Sequence, residues 1–214
     1  MRLPLTLRFA RRSASALSLA LVLASSASGL EIAAGDAIAP STNDRLSLTW
    51  FDAWGLCPLV VRGATEEVKR ILSDLGVQAE WMKIEDAFAS GRPRLSVVMM
   101  DVEPAAWGLA PHTLGASKGE NGPRDVVFIF TPNVIQAAGH PVKRGNCEAV
   151  RVQAQVGRAL ARVIAHEIVH AVAPGHPHAD EGLMNPSLSQ AALLQSAIAV
   201  DPACARFFRS RLGR

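Results

Sequence analysis

Four of the chain's six histidines lie between positions 166 and 178, in the stretch A-H-E-I-V-H-A-V-A-P-G-H-P-H-A-D-E-G-L-M-N-P that starts at Ala165. The H-E-x-x-H spacing puts His166 and His170 one helical turn apart, so both imidazoles leave one face of a helix and can share one zinc ion. Glu167 reaches the same space without being a ligand, which is how a carboxylate takes a proton from an activated water. A third ligand requires the chain to reverse. Ala173-Pro174-Gly175 supplies that turn, and His176 and His178 follow it within reach of the metal.

Such a pair needs a rigid helix beneath it. Residues 146–172 provide one, with Val152, Val156, Leu160, Val163, Ile164 and Ile168 in helical period and Arg151, Arg158 and Arg162 away from them as a solvated face. Pro174 and Gly175 stop it. Upstream, residues 45–51 alternate as a half-buried strand, with Leu46, Leu48 and Trp50 on one side and Ser47 and Thr49 on the other. Thr65 is placed to cap an amphipathic helix bearing Val68, Ile71, Leu72 and Leu75 and ending at Gly76. Residues 77–84 form a second strand, paired in parallel with the first by a right-handed crossover. Residues 95–102 read as an inner strand, 113–117 as a short irregular edge, and 125–130 as another buried strand ended by Thr131-Pro132. A final helix fits residues 189–199, and Pro202 separates it from a basic tail at 206–214. The fold class is α/β, in the α+β sense of a mixed sheet with helices in one domain.

Charge and cysteines bound the setting. Four of the 22 basic residues and none of the 19 acids precede residue 30; beyond it 18 bases face 19 acids, a net charge of −1. Nothing in that balance favours nucleic acid. Residues 1–29, with an arginine-rich start, an apolar run and the small residues Ala27-Ser28-Gly29, read as a secretory signal, with an uncleaved anchor as the alternative. No stable membrane span remains once the signal is cut. Residues 30–44 read as an N-terminal tail and 45–214 as the functional domain. Export makes Cys57, Cys147 and Cys204 one disulfide plus one thiol, with all three pairings open. Met99 and Met100 fit core packing, and His112 and His140 fit surface loops.

H-E-I-V-H-A-V-A-P-G-H followed by G-L-M-N-P resembles the zinc site and Met-turn of the metzincin metallopeptidases, closest to their matrixin-like branch, whose signature is H-E-x-x-H-x-x-G-x-x-H. The resemblance covers residues 165–188. It implies a mixed twisted sheet with a backing helix, a long active-site helix, a Met-turn and a C-terminal helix. It also implies zinc on His166, His170 and His176, Glu167 as general base, Met184 beneath the metal and Pro186 bordering the substrate pocket. The family's glycine is here Ala173, with Gly175 two residues on, so His178 stands as the alternative third ligand. Asp180 is a candidate to orient a ligand histidine. The function implied is that of an exported zinc-dependent endopeptidase, secreted or periplasmic, acting on a peptide or protein laid along the edge at 113–117. The alternative is a non-catalytic, zinc-stabilised binding protein of the cell envelope on the same scaffold.

Overall fold

The computed structural model describes residues 44–117, 125–144, 147 and 149–212. The signal at 1–29 and nearly all of the tail at 30–44 lie outside them. Five strands form one sheet in the order β2-β1-β3-β5-β4: β1 (Arg45–Asp52), β2 (Gln78–Trp81), β3 (Arg94–Met100), β4 (Gly115–Ser117) and β5 (Val126–Phe130). All neighbours pair in parallel except β4, which runs antiparallel to β5 at the edge. The sheet is therefore mixed, as the sequence implied.

One face carries the core. Leu46, Leu48, Val97, Met99, Val127 and Ile129 point from alternate strand positions against two helices, α1 (Pro58–Asp74) and α4 (Val150–Val172). The two helices approach closely at Gly157, where a Cβ would sit 3.0 Å from the Val60 carbonyl oxygen. The opposite face is covered too at β1. Ser47 and Thr49 are buried rather than solvated; Thr49 Oγ1 donates to Ser96 Oγ at 3.0 Å, and the Ser47 and Ser90 hydroxyls are 3.3 Å apart.

Several elements begin or end away from the expected positions, where a local signal outweighs the hydrophobic period. Helix α1 starts at Pro58, which is favoured in a first turn, and Thr65 lies inside it with its hydroxyl donating to the Arg62 carbonyl. The second strand ends at Trp81, and Ile84–Ala89 forms α2 with Glu85 and Asp86 in its first turn. Strand β5 ends at Phe130, at the expected Thr131-Pro132, and those two residues open α3 (Thr131–Ala137). The helix expected over 189–199 shortens to α5 (Gln190–Leu194), capped by Ser189 Oγ, which accepts from the Ala192 amide. The basic tail is largely α6 (Pro202–Arg211), capped by Asp201 and buried through Cys204 and Phe208.

A disulfide joins Cys57, at the N-terminus of α1, to Cys147, and Cys204 is the free thiol. Burial pushes the Cys204 thiol up to about 11, which keeps it protonated and unreactive. Among the described residues no helix is long and apolar enough to cross a membrane.

Candidate metal centre

The last two turns of α4 carry His166, Glu167 and His170, and the loop after it returns His178 to them. The Nε2 atoms of His166 and His178 each lie 3.0 Å from Nε2 of His170. Ligand nitrogens at about 2.0–2.1 Å around a tetrahedral zinc lie about 3.3 Å from one another. Three imidazoles converging by the same atom at that spacing are a donor set for one metal ion. The rings are packed as a unit, with His166 and His178 stacked and His170 edge-on to both.

The histidine brought to the pair is His178, not His176. Ala173 is fully buried and adopts φ −123°, ψ 63°, so it does not make the left-handed turn that a glycine there would permit. Gly175, with φ 82°, makes it instead, and the His176 amide closes the turn on the Ala173 carbonyl at 3.1 Å. The reversal comes two residues late, and the histidine delivered to the pair is two residues later. His176 points elsewhere: its Nδ1–H donates to the Pro177 carbonyl at 2.7 Å, and its ring packs on Phe207 of α6.

The turn around Met184 holds this arrangement by its backbone. His166 Nδ1–H donates to the Leu183 carbonyl at 2.8 Å, which fixes the tautomer that leaves the Nε2 lone pair facing the other two rings. The Ala179 amide, next to His178, donates to the Met184 carbonyl at 2.9 Å. Leu183 N–H is itself held by the Ala199 carbonyl, and Gly182 is required there because a Cβ would lie 2.6 Å from that oxygen. Met184 is buried. Asp180 contributes its backbone carbonyl to the Asn185 side-chain amide, and the orienting of His166 falls to Leu183.

Comparisons with known protein families, curated proteins and solved structures find no match. The chemistry of the site therefore rests on its own geometry.

Burial lowers the pKa of His166 from its usual range, and nearby His178 lowers it further, against the opposing pull of the Leu183 carbonyl. Burial thus favours the neutral imidazole of His166, the form in which a histidine can bind a metal. Glu167 is buried beside it. The triad opens into a cleft of about 820 Å3 between the β4 edge and the segment after Met184, walled by Leu114, Gly115, Val163, Pro186 and Leu188.

Three residues acquire roles that the sequence did not assign. His112 stands in the cleft wall and is the non-glycine residue with positive φ, 63°, among those described. Gly115 sits directly against Glu167. Arg162 is fully buried rather than solvated: its guanidinium donates to the Ala192 and Gln195 carbonyls at the end of α5, while Arg158 Nη1 donates to Leu194 O at 2.9 Å. Burial pushes Arg162 down to about 10. Two arginines of α4 thus cap the C-terminus of α5, the helix that follows the cleft-lining segment ending at Ser189. Only Arg151 is exposed as the periodicity implied.

Proposed function

We propose that this protein is an exported zinc-dependent endopeptidase, with His166, His170 and His178 as the metal ligands and Glu167 as general base. The observation that carries the reading is the convergence of three Nε2 atoms beside a buried glutamate, in a cleft of about 820 Å3. The donor set fits zinc: three imidazoles, one with its tautomer fixed from behind, leave a coordination position free for water or substrate. Zinc bound there supplies Lewis acidity, polarising a carbonyl and lowering the pKa of a coordinated water to about 7.

The protein's own groups do the rest. The Glu167 carboxylate takes a proton from the attacking water and passes it to the leaving amine nitrogen. Among the described residues strand β4 pairs with β5 alone, so its outer edge can pair with an extended substrate, as a sheet edge recruits a further strand. Leu114, Pro186 and Leu188 offer apolar surface to the side chains of that substrate. The disulfide and the secretory signal both suit an oxidising, extracytoplasmic location. The scaffold read in this way is metzincin-like, with its third histidine displaced.

The test is zinc stoichiometry and cleavage of a peptide library by the purified protein and by Glu167→Gln. One zinc per chain in both proteins is expected, with cleavage in the variant reduced by about 10²–10⁴-fold, the usual worth of a general base. A wild-type protein that holds zinc and cleaves nothing would instead be the zinc-stabilised binding protein.

A further inference from the structure

We infer that Gly115 is a positioning residue for Glu167, the missing side chain that lets the edge strand press the carboxylate towards the histidine triad. The inference rests on the endopeptidase reading for its catalytic consequence, and on the packing alone for its geometry. A Cβ built on Gly115 would lie 2.8 Å from Glu167 Cγ, 3.1 Å from the Phe128 carbonyl oxygen and 3.1 Å from Val163 Cγ1. Gly115 is buried, and its φ is not in the left-handed region. Its backbone could therefore be that of any residue, and the glycine is needed for space rather than for conformation.

The surrounding groups differ in how far they can yield. Phe128 belongs to β5, which pairs with β4 over Gly115–Ile129, Ala116–Phe128 and Ser117–Val127. The Phe130 amide extends that ladder to the Leu114 carbonyl at 2.9 Å. Val163 is a β-branched residue on the buried face of α4, stiff about χ1 and nearly inaccessible. Backbone and valine both resist displacement. Glu167 is unbranched at Cβ, so its Cγ can yield by rotation about χ1 more readily than the valine, and that rotation carries the carboxylate with it; no histidine is among the three atoms nearest the added methyl group.

The contact is tested by thermal unfolding of wild type, Gly115→Ala, Glu167→Ala and the double variant. Gly115→Ala should lower Tm by roughly 3–8 °C, as overpacking does in a domain of this size. In the Glu167→Ala background that loss should fall by half or more, because the side chain that met the methyl group is gone. Equal losses in both backgrounds would overturn the inference. If Gly115→Ala fails to fold, a folded double variant supports it and an unfolded one overturns it. The catalytic consequence is read separately: Gly115→Ala should retain one zinc per chain and lower kcat about tenfold or more, a larger change than any in KM, in keeping with a displaced general base. Loss of zinc, or kcat within twofold of wild type, would remove the positioning role. If wild type cleaves no peptide, the endopeptidase reading fails while the unfolding cycle still decides whether Gly115 and Glu167 are coupled.

Discussion

His166 on α4 and Leu183 in the turn before Met184 are joined by an imidazole-to-carbonyl hydrogen bond of 2.8 Å. That bond makes the turn before Met184 part of the histidine cluster without giving it an imidazole. It fixes which nitrogen of His166 faces its neighbours, and Met184, the next residue, steadies the segment carrying His178 through Ala179. Two of the three clustered histidines, from different parts of the chain, are thus set by adjacent carbonyls of one turn, and the turn is set by Gly182 against Ala199.

Burial at this hydrogen bond predicts a pH dependence for the metal-free protein. The folded state lowers the pKa of His166, so on acidification the unfolded chain binds its proton first. The stability contributed by neutral His166 is complete above the unfolded value of about 6.5 and is lost as pH falls towards the lower folded value. Melting temperature of chelator-treated protein should be flat in this contribution above about pH 7 and decline below about 6.5, with the decline reduced in His166→Asn.

The displaced turn predicts which histidine empties the site. His178→Ala should weaken zinc binding by more than the roughly 10–100-fold cost of losing a partner one shell further out. His176→Ala removes a ring that packs on Phe207 and should leave zinc stoichiometry unchanged. Metal analysis after equilibrium dialysis separates the two, and the opposite result would put His176 on the metal.

The helix bearing His166 and Glu167, the sheet beneath it and the edge strand beside it were legible because each has a period or a composition of its own. The third ligand was not, because the choice between His176 and His178 depends on which residue takes a left-handed φ. Ala173 and Gly175 decide that through burial and turn closure, which spacing does not carry. Arg162 was misplaced for a related reason. Periodicity says which face of α4 is apolar, but not that the carbonyl end of a five-residue helix lies on the polar one. Helix α6 was hidden by its arginines, since its buried side is only Cys204 and Phe208, one turn apart.

Arg162 should be among the costlier positions to change on α4. Its replacement by methionine keeps the apolar stem but abandons the Ala192 and Gln195 carbonyls, each formerly bonded to a charged donor. Hydrogen bonds to charged groups are worth about 1.5–3 kcal/mol apiece, and some of that loss is offset because a buried charge is removed with them. A net destabilisation of about 2–4 kcal/mol is expected in denaturant unfolding. Arg162→Lys should recover little, because a single ammonium does not span two carbonyls as the planar fork does.

His112 carries strain where the cleft begins. Its φ of 63° is held by the turn in which the Thr113 amide and hydroxyl both donate to the Ala110 carbonyl, at 3.2 and 2.6 Å, and by Asn133 Nδ2 donating to the Thr113 carbonyl at 2.8 Å. A left-handed conformation costs a side-chain-bearing residue about 1–2 kcal/mol, and glycine returns part of the gain through the greater freedom of its unfolded chain. His112→Gly should therefore raise stability by about 0.5–1 kcal/mol, a Tm increase of roughly 1–4 °C. The same variant asks what the strain is for. A rise in Tm with reduced peptide cleavage identifies the imidazole as a substrate contact, consistent with its place in the cleft wall. A rise with unchanged cleavage assigns the position to turn geometry alone, and a fall in Tm would mean that the imidazole makes stabilising contacts outweighing its backbone strain.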